Sequence, residues 1–94
     1  MLTESQVRKV RALRYARKIS DSRGLYLLVA PNGGRYWRYN YRFDGKAKTL
    51  ALGVYPDVSL DKARARHQKA RSQVAGGVDP AIEKRALGKG AFRD

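Results

Sequence analysis

Residues 33–53 read GGRYWRYNYRFDGKAKTLALG. On either side of Asp44-Gly45, large and small or polar side chains alternate with a period of 2, the pattern of a strand with two unlike faces. Asp-Gly is the favoured central pair of a two-residue type I′ turn, which needs positive φ at both positions. That turn sets a register: Phe43 opposite Lys46, Tyr41 opposite Lys48, Tyr39 opposite Leu50 and Trp37 opposite Leu52. Residues directly opposite share a face. Trp37, Tyr39, Tyr41, Phe43, Leu50 and Leu52 therefore line one side, and Arg38, Asn40, Arg42, Ala47, Thr49 and Ala51 the other.

Working outward, LYLLVAP (25–31) reads as a strand before RYWRYNYRF (35–43), with KAKTLALG (46–53) as the third. A three-residue Asn32-Gly33-Gly34 loop pairs Val29 with Trp37, Leu27 with Tyr39 and Leu25 with Tyr41. It gathers the apolar residues on one face and offers a glycine for a left-handed bulge position. Tyr26, Leu28, Ala30 and Tyr36 then join the arginine face. A two-residue loop would pair Val29 with Tyr36 and divide the apolar set.

Two helices flank these strands. Thr3 and Gln6 have capping-box spacing, and Val7, Val10 and Leu13 follow, which predicts a short helix from about Glu4 to Ala12. Ser59 heads a second helix with an inward stripe of Leu60, Ala63, His67, Ala70 and Val74. Gly76-Gly77 ends it, and Asp79-Pro80 is expected to prevent its resumption. RKISDSRG (17–24) reads as a polar linker. The expected fold is α+β: a three-stranded antiparallel sheet packed on a C-terminal helix, with a short N-terminal helix. Residues 1–80 are expected to form the domain and 81–94 a disordered linker or tail.

The 94 residues carry 21 Lys+Arg against 8 Asp+Glu, a formal charge of +13. Such an excess favours a polyanionic partner. A membrane surface is a poor match, because aliphatic amphipathic helices serve that role and no apolar run approaches a spanning length of ~18 residues. Without cysteine, disulfides and thiolate zinc sites are excluded. His67, the single histidine, lies in a helix stripe and reads as a core ring. The acids are scattered, with no metal-ligating pairing, so no catalytic residue, no metal and no cofactor is expected.

The helix can cover only the Trp37 face, which leaves the other open. Exposed strands often carry Arg and Lys simply to remain soluble and block edge pairing. Against that, Asp44 is the only acid between Arg23 and Tyr55, whereas a merely solvated sheet would mix signs. Alternate residues lie about 6.8 Å apart along a strand, so Arg38, Asn40 and Arg42 span a few base-pair steps. Arg can bond guanine, Asn adenine, and small residues admit a thymine methyl in the major groove. The expected base contacts are Tyr26, Arg38, Asn40, Arg42 and Thr49. Arg35, Tyr36, Lys46 and Lys48 are the expected phosphate contacts.

The pieces Gly24-Leu25-Tyr26-Leu27, Asn32-Gly33-Gly34, Trp37-Arg38-Tyr39-Asn40-Tyr41-Arg42, Thr49-Leu50-Ala51-Leu52-Gly53, Tyr55-Pro56, Ser59-Leu60, Ala63-Arg64 and Gly77-Val78-Asp79-Pro80 together carry a resemblance over roughly residues 2–80. The chain resembles the N-terminal arm-type DNA-binding domain of phage and genomic-island integrases, of the tyrosine recombinase family. The resemblance implies a sheet that enters the major groove of double-stranded DNA at arm-type attachment sites, as a module for DNA integration and recombination. It also implies a bacterial, cytoplasmic, nucleoid-associated parent enzyme whose nucleophilic tyrosine lies in a later domain and which oligomerises on DNA. The fragment itself is expected to be a non-catalytic monomer. Two positions depart from the family pattern: Lys62 where an acid is common, and Ala47 where a base is frequent.

A double-stranded RNA-binding domain is the alternative, since it shares basicity and the helix–three strands–helix order, but it reads RNA mostly with helices and a loop. Single-strand stacking would need the rings on the open face. A one-residue register slip would achieve that only by burying the arginines, at several kcal/mol for each unpaired charge.

Overall fold

The computed structural model describes residues 1–81. Its order is α1 (Glu4–Lys9), β1 (Arg17–Ser22), β2 (Leu25–Val29), β3 (Arg35–Phe43), β4 (Lys46–Tyr55) and α2 (Leu60–Ala75). The four strands form one antiparallel sheet in the order β1-β2-β3-β4. The architecture is α+β, as expected, with one strand more than the sequence reading supplied.

That strand is β1, where the sequence suggested a linker. RKISDS contains a single large apolar residue, Ile19, so it has no hydrophobic period to betray it. Pairing with β2 makes it a strand. The connecting turn, Arg23-Gly24, has positive φ at both residues (49° and 88°). Gly24 has a second reason to lack a side chain, because a Cβ there would run into the Asn40 carbonyl. An irregularity between Ser20 and Ser22 turns Asp21 into the interior. There its carboxylate accepts the Leu2 amide at 2.8 Å and both Nε and an Nη of Arg64, at 3.1 and 2.9 Å. One buried acid thus joins the N-terminus, the edge strand and α2.

The β3–β4 hairpin turns at Asp44-Gly45 with φ of 52° and 74°. Its register matches expectation from Phe43↔Lys46 through Tyr39↔Leu50. Beyond that point it differs: a bulge at Leu52 sets Trp37 opposite Gly53. The bulge keeps both Leu50 and Leu52 in the core and lets the 56–59 loop cross Trp37, whose indole N–H donates to the Val58 carbonyl at 2.8 Å. The β2–β3 register also differs, with Leu27 opposite Trp37 and Leu25 opposite Tyr39. This lies two residues from the expected pairing, so the faces are preserved and only the partners change. The loop is Pro31-Asn32-Gly33, closed by Ala30 and Gly34, with Gly33 at φ 93° in the bulge position.

Ser59 caps α2 by accepting the Lys62 amide, and Leu60, Ala63, His67 and Ala70 are buried against the sheet. Trp37, Leu25, Leu27, Val7 and Val29 form the fully enclosed centre. The Thr3/Gln6 capping box is present in both directions, and α1 stops at Lys9, three residues short of expectation. At the other end Asp79-Pro80 starts a helical turn instead of preventing one. Asp79 accepts the Ala81 amide at 3.0 Å, and proline suits a first helical position. Apart from Ala81, the segment expected to be a disordered tail lies outside the described residues.

Candidate nucleic-acid interface

Helix α2 packs on the Trp37 side of the sheet and leaves the other side uncovered by any described helix. Four rows of side chains meet there: Lys18 and Ser20 from β1, Tyr26 and Leu28 from β2, Tyr36, Arg38, Asn40 and Arg42 from β3, and Ala47, Thr49 and Ala51 from β4. Asn40, Arg42, Ala47, Thr49 and Ala51 are exposed, and Arg38 is half-buried.

Within the row, Asn40 and Thr49 are direct cross-strand partners, and the Thr49 hydroxyl donates to Asn40 Oδ1 at 2.8 Å. This orients the amide. It leaves one Oδ1 lone pair and both Nδ2 hydrogens for an outside partner, the complement that a bidentate contact needs. Arg38 is braced from beneath, with its guanidinium 6.0 Å from the Tyr36 ring. Its Nε is buried and finds no hydrogen-bond partner among the described residues. Arg42 donates weakly to the Gly45 carbonyl at 3.3 Å and otherwise projects into solvent near the hairpin tip.

The remaining site residues differ in environment. Tyr26 lies on the open face, opposite Arg38 and Ser20, but it is only 7% exposed. The neighbour responsible is β1, whose Lys18 ammonium sits 5.3 Å from the Tyr26 ring centroid. The Tyr26 ring is therefore largely closed to solvent. Tyr36 is half-buried on the same face, with its ring over Gly34, where a Cβ would collide with it. Lys46 is exposed at the tip, opposite Phe43.

Arg35 and Lys48 are engaged within the protein, on the helix side. Arg35 donates to the Val7 and Arg8 carbonyls at 3.1 and 3.3 Å, satisfying the last turn of α1, and lies 4.9 Å from the Tyr55 ring centroid. Lys48 is paired with the buried Asp79. The sequence could have warned of this, because Lys48 stands opposite Tyr41 and Arg35 shares the parity of Trp37. Both expectations of phosphate contact rested on position along the hairpin and neglected the face.

His67 is buried, as its place in the helix stripe suggested, and Nε2 lies 3.0 Å from the Arg23 carbonyl. Only a protonated Nε2 can bond a carbonyl, which defines the tautomer. Burial pushes its pKa down, opposed in part by that bond. Its hydrogen bond helps hold Arg23 in the left-handed turn. Among the described residues no group of three or more His, Asp or Glu side chains is placed to hold a metal, and no helix is long and apolar enough to cross a membrane.

Comparison with known proteins identifies a family. A family model described as "Arm DNA-binding domain" matches residues 2–87. Similar proteins include the putative protein IntB of Escherichia coli K12, 54% identical over 61 residues, covering 65% of this chain and 15% of that protein. The integrase of Shigella phage Sf6 is 36% identical over 86 residues, 92% of this chain and 22% of the relative. The integrase of Enterobacteria phage P4 is 42% identical over 80 residues, 80% of this chain and 18% of the relative. The chain spans 15% to 22% of the length of these relatives. An uncovered basic sheet face, the family match and these integrases converge: the chain belongs to the Arm DNA-binding domain family.

Proposed function

We propose that the open face of the sheet enters the major groove of double-stranded DNA, with Arg38, Asn40 and Arg42 over successive base pairs and Thr49 holding Asn40 for adenine. The observation that carries this reading is the Arg38–Asn40–Arg42 row, half-buried at Arg38 and exposed at Asn40 and Arg42, with its amide already oriented by a cross-strand hydroxyl. Pre-orientation matters because an amide free to rotate would lose rotamer entropy on binding. Small exposed neighbours, Ala47 and Ala51, leave room for a groove wall or a thymine methyl. Tyr36 and Lys46 remain as phosphate contacts. Arg35 and Lys48 leave that set because each already has internal partners, and Tyr26 becomes a support for the face. In a longer integrase the domain would dock on arm-type attachment sites while a separate domain performs strand exchange.

An NMR titration tests the reading. With a B-form duplex, shifts should concentrate at Arg38, Asn40, Arg42, Ala47 and Thr49, and a matched RNA duplex should give weak ones. Shifts along the outer face of α2, larger with RNA, would instead favour the RNA-binding alternative.

A further inference from the structure

From Arg8 to Lys18 the chain reads RKVRALRYARK and holds six cations with no acid. Val10 to Ala16 belong to neither helix nor strand, and the side chains of Arg8, Lys9, Arg11, Arg14 and Tyr15 are exposed. Tyr15 is 64% exposed, a large aromatic ring open to solvent among these cations. Among the described residues, the two ion pairs present are Lys48–Asp79 and Arg64–Asp21, so none of the six cations is neutralised by a carboxylate. This concentration is costly in the free protein, because like charges held along a short segment repel one another.

The segment is also anchored at both ends. Val7 is fully buried, and the Arg35 guanidinium holds the Val7 and Arg8 carbonyls. Further on, Arg17 donates to the Arg11 carbonyl at 3.3 Å and then enters β1. Lys18 carries the charge onto the open face, over Tyr26. Lys18 therefore stands where the open face meets this strip, at the edge strand beside Tyr26.

We infer that residues 8–18 form a second contact surface for the DNA sugar-phosphate backbone, alongside the duplex segment read by the sheet. The inference rests on the sheet reading proposed above and extends it past the edge of β1. Arg11 and Arg14 lie against phosphates, Lys18 joins strip to sheet, and Tyr15 packs on the sugar edge between them. Contacts of this kind position the protein without carrying sequence information, and each releases counterions.

The test compares two variants with equal charge loss: Arg11→Gln/Arg14→Gln in the strip, and Lys62→Gln/Lys69→Gln on the outer face of α2. Affinity is measured across a salt series for a cognate duplex selected from a random pool, long enough to extend beyond the sheet on both sides, and for a scrambled duplex. All four substituted side chains are exposed, so both variants should melt with the parent protein. The strip variant should lower the slope of log K against log salt by about 2, from roughly 0.9 per phosphate contact, and weaken both duplexes by the same factor. The α2 variant should change the slope by less than half as much. Equal losses in the two variants would reduce the strip to net charge and overturn the inference while leaving the sheet reading intact. Loss of discrimination in the strip variant would overturn it too, by making these residues base readers. Failure of the parent protein to bind any duplex would remove both readings together.

Discussion

The Tyr41 hydroxyl donates to Asp79 Oδ1 at 2.5 Å, tying the middle of the sheet to the chain that leaves α2, 38 positions later. The same buried carboxylate takes the Lys48 ammonium and the Ala81 amide. Burial alone would raise the Asp79 pKa. The three donors outweigh it and hold the carboxyl down at about 2. Tyr41 responds in the opposite sense: burial, then its bond to the carboxylate, push the phenol up to about 12.

Asp79→Asn should therefore destabilise the domain by about 1–3 kcal/mol, because the amide can still accept from Tyr41 but leaves the partly buried Lys48 ammonium without its counter-charge. The pH dependence has a defined sign. A carboxyl whose folded pKa lies below its ordinary 3.8 takes up protons more readily when unfolded, so its contribution is complete above about pH 4 and disappears as pH falls towards 2. Asp21, lowered chiefly by its hydrogen bonds from Arg64, acts in the same direction. Urea midpoints measured from pH 5 to pH 2 should fall less steeply for Asp79→Asn than for the parent. Parallel profiles would mean that the carboxylate is not held ionised.

His67 should titrate below the ordinary 6.5, with the proton of its neutral form on Nε2. Burial holds its folded pKa below the ordinary 6.5, so the unfolded chain binds the proton first and stability declines as pH drops below that value. Long-range nitrogen–proton NMR spectra of the ring would report both tautomer and midpoint. A midpoint above 6.5 would mean that the bond to Arg23 outweighs burial, whereas an Nδ1–H tautomer would contradict that bond.

Gly53→Ala should cost about 1–3 kcal/mol, since Gly53 has φ 141° and a Cβ there would run into the Val58 side chain. Displacing Val58 would also loosen its carbonyl from the Trp37 indole. Gly45→Ala makes a useful comparison: its φ of 74° imposes strain of about 1–2 kcal/mol, but nothing stands within 4 Å of the new methyl. Chemical denaturation should find Gly53→Ala the more damaging, with added loss of tryptophan dispersion in near-ultraviolet CD.

Arg38→Ala and Asn40→Ala should each relax base preference at one position of the site by about 1–3 kcal/mol, with little loss of fold. Lys48→Ala and Arg35→Ala should behave oppositely. They should lower the melting temperature, through the Asp79 and α1 contacts respectively, while the salt dependence of DNA binding stays within about half a unit of the parent slope. A slope shallower by a full unit in either variant would return that residue to the phosphate-contacting set.

Local chemistry made much of this protein legible before any coordinates. Asp44-Gly45 selects its own turn and with it the neighbouring register. Alternation separates the Trp37 face from the Arg38 face, Thr3 and Ser59 mark both helix starts, and the Leu60–Ala70 spacing identifies the buried stripe. Each of these rests on residues a few positions apart, where geometry follows from backbone preference and side-chain period. Distance in sequence explains what escaped. β1 has almost no apolar pattern of its own and becomes a strand because β2 lies beside it and Arg64, 43 positions away, neutralises Asp21. The two-residue difference in the β2–β3 register preserves the same hydrophobic faces, so periodicity could not detect it. The faces of Lys48 and Arg42 follow from the hairpin register, but the partner of Lys48 was decided in three dimensions: the return of the chain after α2 brings Asp79 to it, while Arg42, on the opposite face, is left to solvent.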